Sequence, residues 1–334
     1  MDILIGILVV VGIGVVPMLI YAFILWWLDR YEKEPWGLVL AAFLWGAIPA
    51  VIFSLIAQLV LDIPISSLMG RGLGADLTSA ALIAPLTEEP FKALALLLLL
   101  LFFRREIDSP MDGILYGGLV GFGFAATENV FYFLDAYSSG GTAGVLQLAT
   151  LRALLFGLNH ALFTACTGLG IALARTSPRW SVKITAPILG LTAAMTLHGI
   201  HNAGATLAGE LCWPLLISLA SDWMGVLILV IIIIWALVRE RAWINRYLAD
   251  EINAGTISPH DYQVVGSYGR RWGERARALL HGDVARWWRL DKYYQLATEL
   301  AFAKHRWATY ERDQKMALHI EQLRRKLYDL RKFL

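Results

Sequence analysis

The chain of 334 residues has little charge and almost no cysteine. Charged residues make up 17% of it and hydrophobic residues 57%, whereas a soluble domain has roughly 25% charged residues. The two cysteines, Cys166 and Cys212, form no disulfide framework and lack metal-ligand spacing. The N-terminus has no basic region, and its apolar run over 3–28 is too long for a signal-peptide core. The run therefore predicts a first membrane helix.

Several common catalytic motifs are also absent. The chain has no His-Glu-x-x-His, which excludes the usual zincin arrangement. It has no Gly-x-Ser-x-Gly, so a serine mechanism of the rhomboid type has no nucleophile. No internal repeat of about 20–50 residues is found, which gives no support to repeat-built transporters.

Long apolar windows dominate what is present. A membrane-spanning helix needs about 20 mostly apolar residues. The windows that meet this length are 3–28, 37–61, 77–103, 113–134, 148–174, 183–208 and 214–238. The sequence therefore predicts an all-α polytopic membrane protein with about seven transmembrane helices.

Charge is unevenly divided along the chain. Residues 1–238 hold 10 Lys/Arg and 15 Asp/Glu, and residues 239–334 hold 19 and 12, so the net charges are −5 and +7. The basic loops follow the first, third, fifth and seventh windows, which places the N-terminus outside and the C-terminus in the cytoplasm. We expect a membrane domain over 1–238 and a cytoplasmic helical tail over 239–334. The basic, Trp-rich tail is expected to lie on the anionic leaflet or to pack on itself, and not to bind nucleic acid.

Ionisable residues interrupt only some of the windows. Glu88 and Glu89 lie side by side in the third window, where an acid near the bilayer centre costs at least roughly 2.5–3.5 kcal/mol. The polar residues of the third to sixth windows are Glu88, Glu89, Lys92, Glu128, Asn129, Arg152, His160, His198, His201 and Asn202. The first, second and seventh windows are almost free of them. Because such residues usually pair inside a bundle, we expect four consecutive helices to converge on one polar site.

This combination of residues suits the activation of water. A buried glutamate can act as a general base, and His and Asn can stabilise an oxyanion. Glutamate and histidine together are also an acceptable zinc set. The residues alone leave the metal-dependent and metal-free versions open.

Gly113, Gly117 and Gly121 form a doubled G-x-x-x-G in the fourth window. Small residues at this spacing allow two helices to approach closely. We interpret these glycines as a packing groove.

The polar residues fall into motifs that resemble those of the PrsW family of intramembrane proteases, which belongs with the CAAX-prenyl endopeptidase and Abi proteins. The resemblance covers roughly residues 15–208. The matching motifs are Glu88-Glu89-x-x-Lys92, Phe124-x-x-x-Glu128-Asn129, Phe156-x-x-x-His160, His198-x-x-x-Asn202 and the segment Asp29-Arg-Tyr-Glu-Lys-Glu-Pro35.

The resemblance implies a protease that cuts a membrane-associated protein, such as an anti-sigma factor. It implies Glu88 as general base, Glu89 as its partner or a metal ligand, and His198 with Asn202 in oxyanion stabilisation. The implied catalytic set is Glu88, Glu89, Glu128, His160, His198 and Asn202. The candidate metal ligands are Glu89, Glu128, His160, His198 and, from its helix face alone, His201. Zinc is the expected metal, and a mechanism without a cofactor is the open alternative.

Two other classes remain open at this point. One is a proton-coupled transporter or channel that uses the same Glu/His cluster. The other is a non-catalytic membrane scaffold of the same superfamily. The expected location, which rests on the family, is the plasma membrane of a prokaryote. The expected partners are the lipid bilayer and a membrane-protein substrate, and the oligomeric state is left open.

Overall fold

The computed structural model describes residues 3–334, and in that range it contains helices and turns but no strand. These residues form two compact units. The first consists of the N-terminal helix, Glu34–Arg175 and Trp180–Ile233. The second consists of Asp29–Lys33, Thr176–Arg179 and Ile234–Leu334.

The helices of the first unit follow the apolar windows, because a helix satisfies every backbone polar group internally in a medium without water. They are α1 (Ile3–Leu28), α2 (Trp36–Trp45), α3 (Val51–Met69), α4 (Leu73–Thr78), α5 (Ala84–Phe102), α6 (Pro110–Ala149), α7 (Asn159–Thr176), α8 (Trp180–Leu207) and the first part of α9 (Trp213–Asn253).

Three wide π-helical turns interrupt this pattern. They lie between α2 and α3 at Gly46–Ala50, between α4 and α5 at Ser79–Ile83, and after α6 at Thr150–Leu155. Such turns are frequent at functional sites, since they leave backbone carbonyls available to other partners. The carbonyl of Ala47, for example, accepts a hydrogen bond from Thr127 at 2.7 Å.

Helix α6 lies at the centre of the first unit. Ser109 caps it, because its hydroxyl accepts from the amides of Met111 and Asp112 while the Asp112 carboxylate accepts from the Ser109 amide at 2.7 Å. Pro110 occupies the first helical position, where no amide hydrogen is needed. From Pro110 to Ala126 every residue is buried.

The glycine series of α6 packs directly on α7. A Cβ added to Gly113 would lie 2.3 Å from the Gly168 carbonyl oxygen, and one added to Gly121 would lie 2.2 Å from the carbonyl oxygen of His160. The predicted packing groove is therefore confirmed. It also holds α7 at a fixed distance, which positions the side chains that α7 contributes to the site.

The predicted fifth window, 148–174, is not one continuous α-helix. The π-helical turn Thr150–Leu155 is followed by non-helical residues 156–158 before α7 begins at Asn159. Helix α6 is itself broken at Gly141, whose φ of 58° is accessible mainly to glycine. Arg152 and His160 therefore lie on separate pieces of chain.

Among the described residues, five helical segments are long and apolar enough to cross a membrane. They are Ile5–Leu28, Trp36–Met69, Pro110–Thr176, Trp180–Leu207 and Trp213–Asn253. The predicted class, an all-α polytopic membrane protein, is confirmed. The number of crossings stays a prediction, because Pro110–Thr176 has 67 residues and is broken in two places, whereas α5 carries three charged side chains.

The second unit has its own hydrophobic core. Besides the end of α9, it contains α10 (Pro259–Val265), α11 (Tyr268–Leu280), α12 (Val284–Thr309) and α13 (Gln314–Arg331). The buried faces of α12 and α13 lie in this core, in agreement with self-packing of the two amphipathic helices. The expected boundary at 238 and the cytoplasmic location of the tail stay predictions.

Candidate active site

The acidic pair lies in the first turns of α5, directly after the π-helical turn. Pro85 occupies one of the first two positions of the helix, and Pro90 follows the pair. Glu88 is 5% exposed, and Glu89 and Lys92 are completely buried. Three adjacent charges enclosed in this way must compensate one another.

Lys92 provides most of that compensation. Its Nζ lies 3.1 Å from Glu88 Oε2 and 2.8 Å from Glu89 Oε1, and it also lies 3.0 Å from His160 Nδ1. The ammonium group further lies 3.8 Å from the centre of the Phe124 ring. One cation thus joins both carboxylates to an imidazole from α7.

His198 of α8 contacts both acids. Its Nδ1 lies 2.9 Å from Glu89 Oε1, and its Nε2 lies 3.8 Å from Glu88 Oε2. The ring stacks on Phe163 with a centroid separation of 5.0 Å. Thr164 donates to the other oxygen of Glu89 at 3.4 Å, so Glu89 is held from three helices.

Glu128 contacts the site through His160. The Nε2 of His160 lies 2.7 Å from Glu128 Oε2, which also accepts from Arg152 Nη2 at 2.8 Å. Arg152 Nε donates to Asn129 at 3.0 Å. Arg152 therefore neutralises Glu128, and the π-helical turn that holds Arg152 brings its guanidinium to the carboxylate.

Helices α5, α7 and α8 supply a set of atoms that fits a metal ion. One ligand atom each from Glu88, Glu89, His160 and His198 lies within 4.8 Å of the others. If His160 donates from Nε2 to Glu128, its Nδ1 lone pair faces the cluster. A carboxylate behind a ligating histidine is the usual support for zinc. The set is thus suitable for a divalent cation, and Lys92 already contacts three of its members.

A cavity of about 590 Å³ opens beside Glu88. Glu89 does not line it, and neither does His198. The polar residues that line it are Ser54, Gln58, Asp76, Ser79, Glu88, Glu128, Tyr132, Arg152, His201, Asn202 and Thr206. Glu88 is therefore the member of the acidic pair that a substrate or water in this cavity reaches.

The structure brings together most of the predicted site residues, but two of them make other contacts. Asn202 donates to the Ala80 carbonyl oxygen at 2.8 Å, within the π-helical turn before α5. The Nδ1 of His201 lies 2.8 Å from Asp222 Oδ2. Glu128 lies behind His160, outside the group of four ligand atoms. The catalytic and metal roles of all these residues stay predictions.

Sequence reasoning missed Gln58, Asn159 and Asp222. Gln58 Nε2 donates to Glu88 Oε1 at 3.1 Å, although Gln58 lies in the second window, which the sequence predicts to be almost free of polar residues. Asp222 is an acid in the seventh window, and a lone acid in an apolar segment is the same signal that identified Glu88. Asn159 gave no comparable signal, because its role depends on the break before α7.

Comparison with known proteins agrees with this geometry. A family model for the PrsW family intramembrane metalloproteases matches residues 34–238. The chain belongs to the PrsW family. Among its curated relatives is Protease PrsW of Geobacillus kaustophilus, which is 32% identical over 42% of this chain and 55% of its own length. Protease PrsW of Clostridioides difficile is 26% identical over 67% of this chain and 85% of its own length.

A third relative, Protease PrsW of Bacillus subtilis, is 27% identical over 58% of this chain and 81% of its own length. The family consists of intramembrane proteases, which confirms the enzyme class predicted from the sequence. The match to the Geobacillus protein covers little more than half of that protein. No solved structure matches the chain.

Proposed function

We propose that this chain is an endopeptidase that hydrolyses a peptide bond of a membrane-associated protein with water activated by Glu88. The observation that carries the proposal is the asymmetry of the acidic pair. Glu88 lines the cavity, whereas Glu89 is completely enclosed and bound by Lys92, His198 and Thr164. One carboxylate is thus available for proton transfer and the other is structural or ligating.

The contacts of Glu88 suit a general base. Gln58 donates to Oε1 and Lys92 to Oε2, so the carboxylate has a fixed orientation at the cavity wall. A base held in place by its neighbours can take a proton from water without reorganisation. In the metal-free version, Asn202 and His198, four residues apart on the same face of α8, are the proposed stabilisers of the developing oxyanion.

A zinc ion is the proposed metal, held by Glu89, His160 and His198. Three protein ligands with one open position are typical of catalytic zinc. When bound, zinc supplies Lewis-acid activation of water. The chain's own residues orient the ligands, since Glu128 fixes the tautomer of His160. In the metal-free alternative, the ammonium group of Lys92 supplies the positive charge of the site.

The proposed substrate is a membrane protein such as an anti-sigma factor. The curated relatives are bacterial proteins named Protease PrsW, which supports a bacterial plasma membrane as the location. The proposed orientation places the N-terminus outside the cell and the C-terminus in the cytoplasm. The relation to CAAX-prenyl endopeptidases and Abi proteins is also part of the proposal. The family match argues against the transporter or channel alternative.

The first test compares wild type with Glu88→Gln in cells by proteomics of membrane-protein fragments. The variant keeps the shape of the side chain but removes its charge, so we expect at least about a 100-fold loss of cleavage. A fragment present only with wild type identifies the substrate and its cut site together.

The matched control is Glu210→Gln, which changes an exposed acid in the loop after α8. It should give the wild-type set of fragments. Identical fragment sets for wild type and a folded Glu88→Gln variant would contradict the protease proposal and favour the non-catalytic scaffold.

A further inference from the structure

A second polar cluster lies close to Phe163, whose ring also contacts His198. The Phe163 ring is stacked on His198 at 5.0 Å and lies 6.3 Å from the ring of His201. His201 Nδ1 contacts Asp222 Oδ2 at 2.8 Å, and Asn159 Nδ2 lies 3.0 Å from each of these atoms. The cluster joins α7, α8 and α9.

Asp222 is buried too deeply to be an ordinary surface acid. It is 1% exposed, Asn159 is 4% exposed, and Asp222 Oδ1 has no hydrogen-bond partner in the part of the chain that the structure describes. A buried carboxylate with one oxygen that accepts no hydrogen bond destabilises the folded state, which argues for a role beyond packing. The Asp222 carboxylate binds one specific nitrogen of His201, namely Nδ1.

This contact determines which nitrogen of His201 is available. With Nδ1–H donating to Asp222, the second nitrogen, Nε2, has no hydrogen-bond partner among residues 3–334. The ring lines the same cavity as Glu88. His201 and His198 are i,i+3 on α8, so their Cβ atoms lie roughly 5–6 Å apart. A peptide beside Glu88 is therefore near His201 as well.

We propose that His201 donates the proton that the leaving nitrogen needs, and that Asp222 and Asn159 position its ring. This inference rests on the proposed function, since it adds a second residue to the same hydrolysis. An imidazole held through Nδ1 by a carboxylate, with Nε2 directed at the reacting atoms, is a recurrent arrangement for general acid catalysis.

Hydrolysis of the peptide bond requires two proton transfers. Glu88 takes one proton from water, and the water oxygen forms a bond to the carbonyl carbon. The oxyanion then re-forms the C=O bond, the C–N bond breaks and its electron pair goes to nitrogen. His201 enters this step as an imidazolium with Nδ1–H on Asp222, transfers the proton on Nε2 to that nitrogen and becomes neutral. The products are a carboxyl group and an amine. Glu88 then loses its proton to water in the cavity, and His201 regains one from it.

The contact with Asp222 distinguishes His201 from the candidate metal ligands. His201 is not among the four residues whose ligand atoms lie within 4.8 Å of one another, and its Nδ1 is already bound to Asp222. The sequence placed His201 on the helix face of His198, but it could not show that Asp222 binds the ring.

The test uses two forms of the peptide that the fragment comparison identifies. One has the natural scissile amide, and the other has a thioester with sulfur in place of the scissile nitrogen. A thiolate can leave without receiving a proton, whereas the amide nitrogen must receive a proton in order to leave as an amine. We expect His201→Ala and Asp222→Asn to lower kcat/KM for the amide by at least about 100-fold. Thioester cleavage should fall less than about tenfold.

Ser218→Ala is the matched control. Ser218 donates from α9 to the backbone carbonyls of Ile200 and His201, so it joins the same helices without a part in the chemistry. It should cleave both substrates at the wild-type rate. Equal losses on amide and thioester, or no loss for Asp222→Asn, would overturn the role of His201. Failure of wild type to cleave either substrate would instead overturn the proposed function.

Discussion

Glu128 shows how a single side chain supports the site without belonging to its inner group. It accepts from His160 at 2.7 Å and from Arg152 at 2.8 Å, and both contacts end on the same oxygen. Arg152 therefore neutralises the carboxylate while His160 is oriented by it.

This arrangement predicts the effect of Glu128→Gln. The amide can still accept one hydrogen bond, but it carries no charge to fix the tautomer of His160. Loss of a carboxylate behind a ligating histidine typically lowers metal affinity about 10- to 100-fold. We expect that loss in zinc affinity, measured by competition with a chelator on purified protein, together with impaired cleavage and little change in thermal unfolding.

Glu210→Gln again serves as the control and should bind zinc as wild type does. Unchanged cleavage by Glu128→Gln would make Glu128 purely structural. Full activity of wild type after exhaustive chelation would instead contradict the zinc version and leave Lys92 as the cation of the site.

At the scale of elements, the sequence predicts the packing groove of α6, but it predicts neither α7 as the partner in that groove nor the π-helical turns. The G-x-x-x-G spacing states directly which face can approach a neighbour. A π-helical turn, by contrast, is defined by backbone hydrogen bonds from i to i+5, and its residues have no distinctive spacing. The partners of Arg152 and Asn202 both depend on such turns, so the sequence named these residues without their contacts.

The glycine contact predicts a stability effect for Gly168→Ala. A Cβ at Gly168 would lie 1.9 Å from the Gly113 carbonyl oxygen, so α6 and α7 must separate. Overpacking of this kind typically costs about 1–3 kcal/mol. We expect a decrease of that size in the free energy of unfolding, measured in detergent by denaturant titration. The shift of α7 should also reduce activity, because α7 carries His160.

The control for this change is Gly12→Ala in α1, where an added Cβ meets nothing within 4 Å. Alanine is also the better helix former, so stability should stay the same or rise slightly. A wild-type unfolding curve for Gly168→Ala would show that the two helices are free to separate.

At the scale of the whole molecule, apolar windows determined the class and charge patterning determined the expected orientation. The third window was recognised although its three charges make it less apolar than its neighbours. The count of crossings depends on how the chain from Pro110 to Thr176 is divided, and that division is set by Gly141 and by residues 156–158. The sequence predicts the site because charged residues are rare in membrane segments. It does not connect Asp222 with the site, because Asp222 is the lone acid of its window.

The two native cysteines provide a direct test of orientation. Cys212 is exposed in the segment between α8 and α9, and Cys166 is partly buried within α7. With seven crossings and an outside N-terminus, the segment that holds Cys212 lies outside the cell. A membrane-impermeant maleimide should therefore label wild type in intact spheroplasts, and Cys212→Ser should abolish that labelling. Labelling of Cys212 only after permeabilisation would place this segment in the cytoplasm and contradict the predicted orientation.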